Sequence, residues 1–243
     1  MDVAQALARF GARDRTVVTS VEQTAGRGRG ARSWRAPAGT AIFSTLILRP
    51  PVPPERLSTL PLISGVAVAE ALEHISGYKT RLKWPNDVWL GADPGNKKVA
   101  GILVTSSLRG SVVDYVLVGI GINVRTGSDD LPPGATSLHV TTGVAAESEQ
   151  VFKVVLDQFD EVYVDYVASQ GRPSLARWRA RAALLGEIVT VEDGNGCLTG
   201  IFTDVDDDGA LLIEDSGHCI HKVVTGDLVR GPRRVGGALG VCR

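Results

Sequence analysis

Residues 22–35, EQTAGRGRGARSWR, limit the fold of this 243-residue chain more than any other stretch. Three glycines alternate there with arginines, and the chain continues into SWRAPAGT, which does not open a helix. The stretch formally satisfies the glycine pattern of dinucleotide-binding folds, but that pattern requires a long helix directly after it. A loop that holds an anion is favoured instead, because glycines let the backbone approach a ligand and arginines offer charged forks for phosphate or carboxylate.

The overall charge makes this arginine-rich loop a local feature of the chain. The formal net charge is −1 and the sequence pI is about 6.4, so no general basic field indicates nucleic-acid binding. A disordered nucleic-acid-binding segment stays an alternative for residues 22–35, although strand-like runs flank them on both sides. A phosphate-binding GxxxxGK[ST] pattern does not occur in the sequence.

Cysteine usage and hydropathy predict a cytoplasmic protein. The three cysteines, Cys197, Cys219 and Cys242, are odd in number and widely spaced, which is typical of reduced thiols. No charged-then-apolar signal segment opens the sequence, and no run of about 18 apolar residues could span a bilayer.

Periodicity predicts an α+β fold. Apolar residues at intervals of three and four indicate helices, and runs rich in β-branched residues indicate strands. Between residues 15 and 124 the strands are expected to form one sheet, covered by the first two helices. The predicted helices are 2–11, 56–76, 148–169 and about 174–184, and the predicted strands are 15–23, 40–48, 81–90, 97–107, 112–120 and 121–124, with a surface loop at 125–147.

The pattern changes after residue 184. Residues 186–229 contain short alternating runs divided by DGNG, DDDG and DSGH, which are hairpin signals. About five strands in so short a segment predict a small barrel. We therefore expect a main catalytic domain, a barrel domain and a flexible tail at 1–184, 185–232 and 233–243.

Two clusters in the C-terminal region imitate metal sites. Residues 204–209 resemble the start of a calcium loop, but the flanking runs look like strands, which favours a solvated hairpin turn. Residues 218–221 contain two histidines and a cysteine without a matching ligand pair elsewhere, which favours an exposed barrel strand.

A second informative stretch is KWPND at 83–87, followed by Lys98 and the apolar run VAGILV. Residue by residue, Trp84 fits a core position, and the three residues after it fit a turn that ends a strand. Lys98 directly precedes a buried-looking strand, however, and this placement predicts an ammonium group at the edge of a sheet.

Four motifs occur in one order along the chain: GRGRGARSW at 26–34, KWPND at 83–87, KVAGIL at 98–103 and GIGIN at 119–123. In this order, and with a small C-terminal barrel, the chain resembles the biotin protein ligases. The resemblance implies a mixed β-sheet with flanking helices, related to class II aminoacyl-tRNA synthetases and lipoate ligases, followed by an SH3-like barrel. It also implies activation of biotin by ATP to biotinyl-5′-AMP and transfer of biotin to a lysine of a carrier protein.

The resemblance also implies site residues. Arg27, Gly28 and Arg29 match the family's loop around biotin and the adenylate phosphate, and Lys98 matches a lysine between the biotin carboxyl group and that phosphate. Gln23 matches a residue that lines the biotin pocket. Lys98 and Arg29 are therefore expected to be catalytic. The same matching places further residues around the site: Gly26, Trp34, Lys83, Asn86, Asp87, Gly101 and Asn123.

Substrates and partners follow from the same resemblance. Biotin and ATP with Mg²⁺ are the expected substrates, without a tightly bound metal, and the Mg²⁺ ligands are not assigned. The expected partner is the biotin carboxyl carrier protein domain of acetyl-CoA carboxylase or a related carboxylase. No helix-turn-helix segment precedes the motifs, so a monofunctional ligase without DNA or membrane binding is expected, and a homodimer is compatible with the family.

The N-terminus departs from the family pattern. Met1 stands where a biotin-contacting strand with a Ser-Thr motif is expected to end. Either the true start lies upstream, which we favour, or part of the biotin pocket is lacking. Two alternatives stay open on this basis: a lipoate-protein ligase-like enzyme, and a catalytically impaired ligand-binding or interaction protein.

Overall fold

The structure is a computed structural model that describes residues 1–91, 95–193 and 196–231, so the predicted tail lies outside the described residues. The strands of the larger sheet are β1 (Thr16–Ser20), β2 (Ala41–Leu48), β3 (Thr80–Lys83), β4 (Asp87–Leu90), β5 (Lys97–Arg109) and β6 (Val112–Asn123). The strands of the smaller sheet are β7 (Ile188–Asp193), β8 (Gly196–Val205), β9 (Leu211–Glu214), β10 (Ile220–Val223) and β11 (Asp227–Arg230). The helices are α1 (Asp2–Arg9), α2 (Leu60–Ser76), α3 (Leu138–Thr142), α4 (Ser148–Ala168) and α5 (Ala176–Arg179).

The larger sheet has the strand order β1-β2-β6-β5-β4-β3, and every ladder in it is antiparallel. The prediction of one sheet between residues 15 and 124 is confirmed, whereas the expected mixed sheet is wrong. Strands β3, β4, β5 and β6 follow one another along the chain and each pairs with the next, so successive strands run in opposite directions. Residues 121–124, expected as a separate strand, continue β6 as far as Asn123.

Helices α2 and α4 cover one face of this sheet. Helix α2 is apolar on nearly all sides because it packs against both the sheet and α4. It begins later than predicted, since residues 54–59 form a 3₁₀ turn and the helix starts at Leu60. The predicted loop at 125–147 contains α3, and the predicted helix at 174–184 is reduced to α5. Within the described ranges, no helix is both long and apolar enough to cross a membrane.

Helix α1 is fixed to the outer end of the sheet by one arginine. Ala4 and Ala8 of the helix pack in a small apolar cluster with residues of β2 and β6. The guanidinium of Arg49 donates hydrogen bonds to three backbone carbonyls, those of Ala8 at 2.6 Å, Ala12 at 2.9 Å and Asp114 at 2.8 Å. Because a planar fork can satisfy several carbonyls at once, Arg49 holds the helix end, the following turn and β6 together.

The smaller sheet has the order β10-β9-β8-β7-β11 and is also antiparallel. The prediction of about five short strands is confirmed. Over the described residues β10 and β11 are the two edges and do not pair with each other, so the sheet is open and the expected closed barrel is not formed.

The acidic turn between β8 and β9 contacts the larger domain. The Asp208 carboxylate pairs with Arg56 at 2.5 Å, and its backbone carbonyl accepts a hydrogen bond from Ser58 at 2.7 Å. The buried indole of Trp84 donates to the Gly209 carbonyl at 3.0 Å. The predicted hairpin turn is confirmed, with Asp207 exposed, and the turn also joins the two sheets through Asp208 and Gly209.

One cysteine can be scored against the expectation of reduced thiols: Cys219 is free and exposed, as expected. Cys242 lies outside the described residues.

An ion-pair network joins α2 to α5. The Glu73 carboxylate accepts hydrogen bonds from Arg181 at 2.8 Å and from the backbone and side chain of Thr80 at 3.0 and 3.1 Å. Glu70 pairs with Arg177 and Arg181. Burial raises the pKa of Glu73, but the hydrogen bonds and charge of Arg181 and the bonds from Thr80 outweigh burial and leave the pKa below its usual value of 4.5.

We expect Glu73→Gln to reduce the pH dependence of stability on the acid side. Because the folded-state pKa of Glu73 is lowered, its carboxylate stabilises the fold above about pH 4.5, and this contribution is lost as the pH falls through the folded-state pKa. Urea unfolding from about pH 7 to about pH 3 should show a shallower loss of unfolding free energy in the variant. Glu147→Gln, which removes an exposed partner of Arg125, is the control and should follow the unmodified protein. Parallel curves for Glu73→Gln and the unmodified protein would contradict the expectation.

Candidate active site

A cavity that is open to solvent lies between the larger sheet and the glycine- and arginine-rich loop. Its wall includes Gln23, Arg27 and Arg29 of the loop, and its floor includes Lys98 and Gly121 of the sheet. A concave site with a few convergent polar groups is typical of small-molecule binding. The structure thus brings together residues that lie far apart in the sequence.

The loop folds as a short hairpin. The Gly28 amide donates to the Arg32 carbonyl at 2.8 Å, and the Trp34 amide donates to the Gly26 carbonyl at 3.1 Å. A Cβ on Gly26 would stand 2.0 Å from the Trp34 carbonyl oxygen, and Gly30 has a φ of +61° at the turn. A side chain at position 26 would collide with the Trp34 carbonyl, and the left-handed backbone at position 30 favours glycine. No helix follows the loop.

The arginines of the loop are held by carboxylates from other elements. Arg27 pairs with Asp2 of α1 at 2.8 Å, and both side chains are exposed. Arg29, whose side chain is 25% exposed, lies 3.5 Å from the Asp227 carboxylate, and Arg32 also pairs with Asp227. The loop is thus attached at one side to α1 and at the other to the smaller sheet.

Lys98 reaches the cavity because of a β-bulge. The pairing of β4 with β5 shifts at this point, so that Trp89 lies opposite Lys98 while Asp87 lies opposite Gly101. The bulge therefore aims Lys98 at the same face as Gly101, where simple alternation would direct it to the other face. The Lys98 ammonium lies 2.6 Å from the Asp87 carboxylate, and the two side chains are 29% and 15% exposed.

The backbone of Lys98 is fixed from the other side. Its amide donates to the Gly134 carbonyl at 3.0 Å, and its carbonyl accepts from the Thr136 amide at 2.8 Å. Asn123 is buried, and its side-chain amide donates to the Thr136 carbonyl at 3.0 Å. The segment at 134–136 was missed in the sequence because it lies in a predicted surface loop. For Asn123 the structure supplies a supporting contact, and a contact with adenine stays a prediction.

Trp34 lies on a surface made by two glycines. Gly101 and Gly121 face each other across β5 and β6, and a Cβ on either would come within 2.9 Å or 2.8 Å of the indole. The Lys98 ammonium lies 5.2 Å from the centroid of the indole ring, which is a cation–π distance. The indole N–H is buried without a hydrogen-bond partner among the described residues. The glycine pair therefore provides a flat, side-chain-free floor for a ring.

Asn86 and Lys83 have different surroundings. The Asn86 side-chain amide donates to the Ile102 carbonyl at 2.8 Å, and the Asn86 backbone carbonyl accepts from the Ile102 amide at 2.9 Å. These two hydrogen bonds attach the KWPND motif to β5. Lys83 lies 5.4 Å above the Trp89 ring. Burial lowers the pKa of Lys83, and although Asp87 acts in the opposite direction the pKa stays below its usual range.

The described residues do not form a ready-made metal cage. Within those ranges no three His, Cys, Asp or Glu side chains come together as metal ligands do, and Asp87 is already paired with Lys98.

Taken together, the geometry suits two anions that must meet. Lys98 and Arg29 supply cations at one cavity, the glycine floor holds the indole of Trp34, and Asp87 pairs with Lys98. Such fixed donors stabilise negative charge that develops on a phosphoryl group. The site contains no serine, cysteine or histidine paired as an activated nucleophile among its lining residues.

Comparisons with known proteins agree with this geometry. Residues 9–123 match the Biotin/lipoate A/B protein ligase family, and residues 184–231 match the Biotin protein ligase C terminal domain. The chain is 35% identical to the bifunctional ligase/repressor BirA of Bacillus spizizenii, over 94% of this chain and 70% of that protein. It is 38% identical to the biotin–[acetyl-CoA-carboxylase] ligase of Paracoccus denitrificans, over 81% and 82% of the two chains.

A solved structure gives the same result for the fold. The biotin protein ligase of Aquifex aeolicus in complex with biotin and ATP superposes with a TM-score of 0.79 and 29% sequence identity, and 94% of each chain is covered. The larger sheet with its helices and the C-terminal sheet therefore occur together in a known fold. The chain belongs to the biotin protein ligases of the biotin/lipoate A/B protein ligase family.

Proposed function

We propose that this protein activates biotin with ATP as biotinyl-5′-AMP and transfers the biotinyl group to a lysine of a biotin carboxyl carrier protein. The observation that carries the proposal is the convergence of Lys98, Arg29 and the Gly101–Gly121 floor on one cavity, in a chain related to ligases of this reaction. The acceptor we propose is the carrier domain of acetyl-CoA carboxylase or a related carboxylase.

The first step joins two anions. A carboxylate oxygen of biotin attacks the α-phosphorus of ATP, a new P–O bond forms, and the bond to pyrophosphate breaks with its electron pair. Negative charge increases on the α-phosphoryl oxygens, and the Lys98 ammonium and the Arg29 guanidinium are the groups that would stabilise it. Asp87, at 2.6 Å from Lys98, holds the ammonium in place without touching substrate.

The second step releases AMP. The lysine amine of the carrier attacks the acyl carbon of biotinyl-AMP, an amide bond forms, and the bond between the acyl carbon and the phosphate oxygen breaks. The amine proton leaves to solvent or with the phosphate. The mixed anhydride is already activated, so the ligase need not supply a nucleophile. Its role in this step is to hold the AMP leaving group in place and to exclude water from the acyl carbon.

The remaining residues bind and shape the ligands. Gln23 lines the cavity beside the loop, where its amide can pair with a polar edge of biotin. Arg27 and Gly28 line the same wall, and Trp34 covers the glycine floor. These assignments follow the positions of the residues in the family motifs.

Lys98→Ala should lower the rate of biotin-dependent pyrophosphate exchange into ATP by about 10²–10³-fold, because one fixed cation is lost from the developing charge. Lys97→Ala is the matched control, since Lys97 is the neighbouring lysine on the same strand and does not line the cavity. A thermal unfolding curve for each variant separates loss of chemistry from loss of fold. A Lys98→Ala enzyme as fast as the Lys97→Ala enzyme would contradict the assignment.

The identity of the acid substrate is tested by the same exchange reaction. Exchange that depends on biotin is the expected result. Exchange that depends on lipoate would support the related ligase instead, and exchange with neither acid would support a binding protein without catalysis. Mass spectrometry of a purified carrier domain after incubation with biotin and ATP then reports the transfer step.

Gly121→Ala should weaken biotin binding by about 10-fold or more, because the new methyl group would stand 2.8 Å from the indole of Trp34 and displace it from the floor. Isothermal titration with biotin gives the affinity directly. Gly127→Ala is the matched control, since a Cβ there meets only a side-chain oxygen at 3.8 Å. Unchanged affinity in Gly121→Ala would show that the position of Trp34 on the glycine floor does not affect biotin binding.

A further inference from the structure

The smaller sheet reaches the loop of the active site through two adjacent residues. The guanidinium of Arg29 donates to the Gly226 carbonyl at 3.1 Å and lies 3.5 Å from the Asp227 carboxylate. Arg32 pairs with the other oxygen of the same carboxylate. Two arginines of the loop are therefore bound by one short segment at the start of β11.

This segment is held rigidly. Gly226 has a φ of +144°, and a Cβ on it would stand 2.4 Å from a methyl group of Val191 and 2.9 Å from the Glu192 carbonyl oxygen. Asp227 itself pairs with Glu192 in the ladder between β7 and β11. Because the backbone is pinned against β7, the carbonyl and the carboxylate are presented to the loop at fixed positions.

Asp227 binds these arginines from outside the ligand cavity. Arg29 and Arg32 line the cavity, whereas Gly226 and Asp227 do not. A carboxylate that took the place of a ligand anion would have to lie in the cavity among the cations. Asp227 instead lies behind Arg29 and Arg32, where it can hold the loop closed. The two guanidinium groups stay free to face a ligand in the cavity.

The electrostatic balance agrees with this arrangement. Arg29, Arg32, Lys83 and Lys98 repel one another unless negative charge is nearby, and within the described residues Asp87 and Asp227 supply it. Asp87 pairs with Lys98 of the sheet, and Asp227 pairs with Arg29 and Arg32 of the loop. The two carboxylates leave an excess of positive charge for a phosphate ligand.

We propose that Asp227 is a positioning residue that clamps the loop at 22–35 onto the C-terminal sheet and thereby sets how long biotinyl-AMP is retained before a carrier lysine arrives. The inference rests on the proposed function. A mixed anhydride that leaves the site reacts with water or with any exposed amine, so retention is a requirement of the two-step reaction. The clamp acts through Arg29 and Arg32 and does not touch the reacting atoms.

The test measures adenylate release from the full chain. The enzyme is loaded with labelled biotin, ATP and Mg²⁺ in the presence of pyrophosphatase, freed of small molecules, and chased with unlabelled biotinyl-AMP. We expect Asp227→Asn to release the label about tenfold faster, as the loss of one charge-assisted contact would give, with a much smaller effect on the rate of adenylate formation. Asp227→Glu, which keeps the charge, should recover most of the retention.

The control and a second variant keep the test decisive. Asp207→Asn removes an exposed aspartate of the turn between β8 and β9, which lies 3.8 Å from Arg179 and contacts neither arginine of the loop, and it should release at the unmodified rate. Arg32→Gln removes the same ion pair from the other side, and its effect should not add to that of Asp227→Asn in a double-mutant cycle. If Asp227→Asn fails to fold, Arg32→Gln carries the test alone.

Two results would overturn the inference. Release at the unmodified rate from both Asp227→Asn and Arg32→Gln would show that the contact does not retain the adenylate. Slower release would show that Asp227 competes with the ligand. Failure of the proposed function looks different, because the unmodified enzyme would then form no labelled adenylate to be released.

Discussion

The pairing register of β5 with β6 is the constraint on which the site depends. It sets Gly101 opposite Gly121, which leaves a strip of sheet without side chains and makes room for the indole of Trp34. A slip of one residue by either strand would turn its glycine to the helical face and place a side chain on the floor. The apolar partners of the strip, Ile102 and Ile120, are buried in the core on the other face, and this burial fixes the register.

The bulge between β4 and β5 depends on the same register. It turns Lys98 to the open face beside Asp87, although Val99 and Ala100 next to it stay fully buried. A buried strand can thus deliver one charged side chain to a cavity without exposing its apolar neighbours. Backbone hydrogen bonds with the segment at 134–136 fix the strand at Lys98, and the pair with Asp87 holds the ammonium, so that it need not reorganise when charge develops.

Much of this organisation could be predicted from the sequence, and the failures share a physical cause. The α+β class, the strands, the C-terminal sheet and the family followed from periodicity and motifs, which are local properties. The partners of those motifs, such as Gly209 for Trp84 and Asp227 for Arg29, were missed because each pair is joined only by the fold. The bulge at Lys98 was also missed, because an extra residue in an apolar strand does not change the sequence pattern by which the strand is recognised.

Trp34 connects the shape of the site with its charge. Its buried N–H without a partner costs about 1–3 kcal/mol relative to a hydrogen-bonded one. The contact with Lys98 and the close packing on Gly101 and Gly121 offset that cost, which explains why the indole stays on the floor. A ligand that supplied an acceptor to this N–H would remove the penalty and keep both other contacts. Binding of such a ligand would therefore stabilise the loop in the position that places Trp34 on the floor.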